Sequence, residues 1–364
     1  MLQKTSDRLS EDSLIEEIEY KDFSAALYEK SFAAQIPTHG HFELTFKCAL
    51  KCVFCYCTCY TSPEHTRREL ATDEVKRIIS EAAASGCLWM TLSGGDPFIR
   101  PDFREIYDHV IASGIIPTIF ASGLIMDDSW IEHLRKNPPL KIEVPFYSCH
   151  PETYEKIAGR KGTFTKAVHN IKKMRAAGLP VKLKTKIMTL NLHEVKELET
   201  FLEEEFSLEL SANYFLYPRL DHSRDHLVYR LSPPQIQKLE KELTVTGCES
   251  SSTQLQGDEH NPKLFRCAAG INSFYINPYG ELNFCTYVRQ SSFDLKAGSI
   301  IEGVRVLRED LLSRTYPANS SCTKCSIQGS CQNCPGHAFL ETGRLDGKSD
   351  YLCSVNHAVR GQAR

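Results

Sequence analysis

The stretch Cys48-Ala-Leu-Lys-Cys52-Val-Phe-Cys55 sets three cysteines at a C-x3-C-x2-C spacing. It follows the alternating run His41-Phe-Glu-Leu-Thr-Phe-Lys47, which reads as a β-strand. The cysteines therefore open the loop at that strand's C-terminal end. Soft thiolates grouped this tightly suit an iron–sulfur cluster. Three of them, with no fourth at a fitting spacing, would hold three irons of a four-iron cluster and leave one iron open. Half of a zinc site is the competing reading of the same spacing. Cys57 and Cys59 crowd the loop, but Ser62 breaks a second register starting at Cys55. These two read as spare loop thiols, or as redox or substrate-facing groups.

Composition narrows the class. The chain has 364 residues, enough for one large domain or two modest ones. Its 41% hydrophobic and 24% charged residues are the balance of a soluble globular protein. A net charge of −3 gives no reason to expect nucleic acid as a partner. No run is long and apolar enough to suggest a membrane span. The start, Met-Leu-Gln-Lys-Thr-Ser-Asp-Arg, has no apolar signal core. A cytoplasmic location is expected, where fifteen cysteines do not read as a disulfide framework. Five lie between Cys48 and Cys59 and seven between Cys267 and Cys353, a clustering that favours metal sites.

Outward from the cysteine loop the pattern is regular. Residues 1–40 are a lead-in, with an acidic helix expected from Ser10 to Tyr20 packed on the outside or bottom of the fold. A helix is predicted over 71–86, capped by Thr72 and stopped by Gly86. Leu88 to Ser93 is the next strand, ending in Gly94-Gly95-Asp96-Pro97. Pro101 starts a helix that Gly114 closes. Strands follow at Ile116–Ala121, Lys141–Tyr147, Val181–Thr189 and Leu208–Tyr217, with helices at 128–136 and 163–178. Asn191 is expected to cap a further helix, with Glu194 placed for a capping box. Ser232 begins another, through Leu243. Six strand–helix units argue for a parallel sheet with outer helices. Full barrels have eight, so the expected fold is α/β, a partial (β/α)6 TIM-type barrel over 41–246. Residues 247–262 are polar, without periodicity, and read as a linker. A small C-terminal cysteine-rich iron–sulfur domain is expected over 263–364.

The cysteine loop resembles that of the radical S-adenosylmethionine (radical SAM) superfamily, with Phe54 at the usual aromatic position. The resemblance implies a [4Fe-4S] cluster on Cys48, Cys52 and Cys55. Its open iron would chelate the methionine group of S-adenosylmethionine, and one electron would then release a 5′-deoxyadenosyl radical. Gly94-Gly95-Asp96-Pro97 resembles the family's GGEP segment, with Asp for Glu. It implies a contact to the cofactor's amino group, with the glycines allowing close backbone approach. Ser122, in Ala121-Ser122-Gly123, stands where relatives have Thr-Asn-Gly. Tyr147, Ser148 and Thr189 to Asn191 end strands that relatives use for the ribose and carboxylate. Cys149 lies near the same mouth and reads as a packing thiol.

The second cysteine field is Cys267-x12-Gly280-x4-Cys285, then Cys322-x2-Cys325-x5-Cys331-x2-Cys334, then Cys353. Asn277-Pro-Tyr-Gly280 reads as a hairpin turn. The field resembles the SPASM extension of radical SAM enzymes, although that extension's last short gap is x3. It implies two auxiliary [4Fe-4S] clusters. The distal one would use Cys322, Cys325, Cys331 and Cys353. The proximal one would use Cys267, Cys285 and Cys334, with its fourth position open or filled by Cys248, His260 or substrate. Structural zinc is the alternative, yet two tetrahedral zincs want eight ligands and seven cysteines are present.

Relatives with this extension mostly modify peptides. The expected function is radical modification of a ribosomally made peptide or protein by crosslinking, epimerisation or oxidation. The alternative is dehydrogenation or rearrangement of a small-molecule precursor; a zinc-stabilised binding protein is the non-catalytic one. Against the peptide reading, the lead-in is too short for a peptide-recognition domain, unless a separate protein presents the substrate. An electron donor such as flavodoxin or ferredoxin is implied. Tyr214, Tyr217, Arg219 and Cys149 are candidates for the group that meets the radical. Thr286 after Cys285 argues against sulfatase maturation, whose enzymes typically carry an Asp there.

Overall fold

A computed structural model describes residues 19–57, 63–242, 262–267, 269–331 and 333–360. Most of the expected lead-in helix, the 247–261 part of the linker, Cys59, Cys248 and His260 lie outside these residues. The strands are β1 His39–Thr45, β2 Trp89–Gly94, β3 Ile116–Phe120, β4 Lys141–Pro145, β5 Val181–Lys186, β6 Ser211–Asn213, β7 Ser273–Ile276, β8 Glu281–Asn283 and β9 Phe293–Asp294. They form one sheet in the order β6-β5-β4-β3-β2-β1-β7-β8-β9. Every pair from β6 to β7 is parallel. The first six strands, with helices between them, form the partial barrel that the repeat of units predicts.

The core explains why. In β5 the burial alternates, Val181, Leu183 and Thr185 buried against Lys182, Lys184 and Lys186 half-buried. One face packs on the outer helices and the other lines the interior. Leu183, Ile142, Ile119, Leu92 and Phe42 are all fully buried and join one hydrophobic core.

The cysteine-rich segment continues the sheet. β7 lies parallel to β1, with His39 opposite Ser273 and Phe42 opposite Ile276. The expected hairpin follows, Gly280 donating to the Asn277 carbonyl at 3.1 Å with φ of 86°. Arg230 ties the far helices down: it pairs with buried Glu341 and lies 4.0 Å over the Tyr351 ring.

Several local expectations change. Thr72 is the first residue of helix Thr72–Ala84, not its cap; its hydroxyl bonds Asp102 at 2.7 Å. Glu74 instead accepts from the Ala71 amide at 2.8 Å. The helix after Pro101 begins at Phe103. Asn191 and Glu194 form no capping box. Glu194 turns inward and accepts from Ser148 and Thr153. The sixth strand shrinks to Ser211–Asn213 because the Asn213 side chain takes the Phe215 amide at 3.0 Å, a local turn that ends the ladder. Helices Tyr20–Ala34, Pro151–Ala158, Ile300–Ser313, Pro335–Thr342 and Asp350–Arg360 were not expected.

The glycine pair at the end of β2 packs closely against the backbone that leads into the cysteine loop. A Cβ on Gly94, at φ +131°, would stand 2.0 Å from the Thr45 carbonyl oxygen. One on Gly95 would stand 2.1 Å from that of Lys47. The Gly95 and Asp96 amides bond those same carbonyls at 2.7 and 2.8 Å. Gly95→Ala must push the cysteine loop away from β2. The expected cost is about 2 kcal/mol or more, a fall of roughly 3 °C in an anaerobic melt. An unchanged melting temperature would contradict the close packing.

Candidate active site

The cysteine loop leaves β1 and is held from outside by backbone bonds. Lys51 and Val53 donate to the Ala158 and Ile157 carbonyls at 3.0 and 2.9 Å. Gly159 must be glycine, since its Cβ would lie 2.1 Å from the Lys51 carbonyl oxygen at φ of 67°. Arg160 takes the Ala49 carbonyl at 2.9 Å. Arg219, a candidate to meet the radical, is instead a loop clamp. It bonds the carbonyls of Cys55 at 3.1 Å and Val53 at 3.3 Å and pairs with Asp225. At the strand end, Glu69 accepts from Thr45 Oγ1 and the Phe46 amide, both at 2.9 Å. Sequence reasoning missed Glu69 and Arg160, because nothing in their local pattern marks them.

The thiols converge. Burial first, and then the charges of Asp96 and Cys55, push Cys48 up to about 12. Cys52 rises further, first from burial and then from Cys55 and Cys48, while Tyr147 opposes the rise. The Tyr147 hydroxyl lies 3.1 Å from Cys52 Sγ, and its ring meets Phe54 edge-on at 5.3 Å. Thiols this hard to ionise shed their protons when a metal takes them.

The C-terminal field sorts in the same way. Cys334 is pushed up to about 12 by burial, then by Cys285 and Cys267. Cys322 is raised by burial, then by Cys353 and Cys325, and Cys331 by burial and by Cys325 and Cys322 among its neighbours. Cys322, Cys325, Cys331 and Cys353 line one cavity with Tyr316 and His357. A single zinc draws its thiolates to about 3.8 Å, given Zn–S bonds of about 2.3 Å in a tetrahedron. Among the described residues no three cysteines lie within 4.8 Å of one another; only Cys149, His150 and Glu197 do, a mostly exposed group.

Around the loop, the other expected contacts are partly engaged by protein. Asp96 is buried; it accepts from the Phe98 and Ser122 amides at 3.1 and 3.3 Å and from the Ser122 hydroxyl. Burial raises its carboxyl above the usual range, against those hydrogen bonds. Pro97 begins the short helix that Asp96 caps. The Asn191 amide donates to the Tyr147 and Lys186 carbonyls and accepts from the Met188 amide. It shapes the ends of β4 and β5.

The barrel interior is polar. Glu43 of β1 is fully buried; it accepts from Tyr56 and, at 3.2 Å, from Arg289, which also reaches the Tyr275 hydroxyl at 2.6 Å. Glu143 of β4 pairs with Lys141 at 2.8 Å and Lys184 at 3.7 Å. Tyr214 bonds Glu240. Tyr217 stacks on His337, whose ring is held neutral, down at about 3, by burial and by Lys186. The inward carboxylate within the His41–Lys47 run was the signal for Glu43. Tyr147→Phe removes the hydroxyl beside Cys52. The cluster should still load, with a more negative potential, because hydrogen bonds to sulfur set that value. A potential identical to the parent's would contradict the contact.

Residues 42–204 match the model of the radical SAM superfamily. The chain is 26% identical over 336 residues to an AdoMet-dependent heme synthase of Methanosarcina barkeri, covering 85% of this chain and 93% of that protein. It is 32% identical over 156 residues to a PqqA peptide cyclase of Granulibacter bethesdensis, covering 43% of this chain and 41% of that one. Its fold matches Streptococcus suis SuiB bound to precursor peptide SuiA with a TM-score of 0.69 at 16% identity, over 96% of this chain and 84% of that one. The matched segment holds Cys48, Cys52 and Cys55 at the end of β1 and Gly94–Pro97 at the end of β2. The segment that carries the cysteine loop and the glycine turn is thus the segment that matches the radical SAM superfamily.

Proposed function

We propose that this protein is a radical SAM enzyme that modifies a ribosomally made peptide. The observation that carries it is the three-thiol loop, half-buried at the strand ends beside a polar barrel interior. When bound there, a four-iron cluster and S-adenosylmethionine supply a 5′-deoxyadenosyl radical for hydrogen abstraction. Cys48, Cys52 and Cys55 would hold three irons and leave the fourth to the cofactor. Phe54 and Tyr147 wall the loop on one side. Gly94, Gly95 and Pro97 shape the backbone beside it, and Asp96 fixes Ser122. The Glu43–Arg289–Tyr275 group lends the interior a paired charge beside β1.

The C-terminal cysteines would hold two auxiliary clusters, the proximal on Cys267, Cys285 and Cys334 and the distal on Cys322, Cys325, Cys331 and Cys353. They extend an electron route from the barrel toward the surface, where a flavodoxin or ferredoxin would dock. PqqA peptide cyclase and SuiB with its precursor peptide support the peptide substrate. A separate recognition protein would present it.

A small carboxylate-bearing substrate is the second reading. Lys182, Lys184 and Lys186 share the interior face of β5, and the heme synthase relative matches almost end to end. Reconstituted protein with S-adenosylmethionine, a reductant and precursor peptides from neighbouring genes separates the two. Peptide should raise 5′-deoxyadenosine formation roughly tenfold or more, about 1.4 kcal/mol in the barrier. Stimulation by small carboxylic acids alone would overturn the peptide reading.

A further inference from the structure

Four ligands close a four-iron cluster, yet the described residues bring three cysteines to the proximal position. Beside them stands a histidine with nothing to bind. His337 is the one described histidine whose Nδ1 and Nε2 are both buried without a hydrogen-bond partner. Buried polar atoms in folded proteins rarely go unpaired, and this ring carries two.

Local geometry sets the ring beside the thiols. Cys334 is the N-cap of helix Pro335–Thr342, and His337 is the third residue of that helix. A Cβ on Gly336, between the two, would stand 3.6 Å from Cys334 Sγ and 2.8 Å from the Tyr287 Cβ, so this helix start packs on the segment that follows Cys285. Cys334-x2-His337 also has the short two-ligand spacing common in metal sites.

Two phenol rings hold the imidazole without using its nitrogens. Tyr217 stacks on it at 3.5 Å between centroids, 16° from parallel, and Tyr287 meets it edge-on at 4.7 Å. Both phenols feel the charge of Cys334, and Tyr287 also that of Cys285. The rings that clamp His337 therefore border the proximal thiols. An imidazole blocked on one face, with its in-plane nitrogens unspent, is built for a ligand.

We propose that His337 is the fourth ligand of the proximal auxiliary cluster, completing a Cys267, Cys285, Cys334 and His337 set. This rests on the reading above that the C-terminal field holds auxiliary clusters. Imidazole in place of thiolate removes one negative charge and raises the potential, as histidine ligands do in Rieske centres. The proximal cluster would then be a better electron acceptor than a four-thiolate one.

The test uses the full chain carrying Cys48→Ala, Cys52→Ala and Cys55→Ala, reconstituted anaerobically with ¹⁴N- or ¹⁵N-histidine and reduced. About eight irons are expected, four per auxiliary cluster. Pulsed EPR should show a directly bound histidine nitrogen, identified by the isotope shift. His337→Cys should keep the iron, lose that coupling and lower the potential. His337→Ala should lose the coupling and bind up to one iron less. About eight irons with no bound nitrogen, or an unchanged potential in His337→Cys, would overturn the ligand and leave the auxiliary clusters standing. About four irons or fewer would sink the auxiliary-cluster reading and the ligand with it.

Discussion

Thiolates gathered side by side repel one another until a cation holds them, and the loop that carries them needs restraint. That conflict shapes the mouth of the barrel. Cys48 and Cys52 are pushed far up by burial and by their neighbours' charges. The loop that carries them is fastened by carbonyl and amide bonds to residues 94–96, 157–160 and 219. Glycine at 94, 95 and 159 is what allows those backbones to meet. These contacts fasten the loop through its backbone and leave its thiols for a metal, which would relieve the charge conflict that burial creates.

The C-terminal segment is more than an appended cysteine staple. Its first strand pairs with β1, the strand that launches the cysteine loop. Arg289, from the turn after Cys285, reaches Glu43 on that same strand. Tyr217 of the barrel and His337 of the C-terminal helix stack on each other. The cysteine loop and the segment around Cys285 and Cys334 are thus joined through β1 and through these buried contacts.

The strands and both thiol sets were legible in the sequence because they rest on short-range signals: alternation, cysteine spacing and glycine stops. The roles of Asp96, Asn191 and Glu194 were not. Each is polar, sits at a strand end and was read as a cofactor contact or a cap. The structure spends the Asn191 and Glu194 side chains on long-range partners that no local pattern reveals. Helix Pro335–Thr342 was hidden because its eight residues follow a Cys-Pro and give little periodicity. Arg219 and Arg160 act on main-chain carbonyls distant in sequence, and such contacts leave no motif.

The central claim is a four-iron centre whose fourth corner is kept for a small ligand. Anaerobic ⁵⁷Fe Mössbauer spectroscopy of the reconstituted chain, with and without S-adenosylmethionine, tests it most directly. One iron should change its signal when the cofactor is added, and Cys52→Ala should abolish that change. Iron sites that ignore the cofactor, or a protein that takes up zinc and no sulfide, would contradict it.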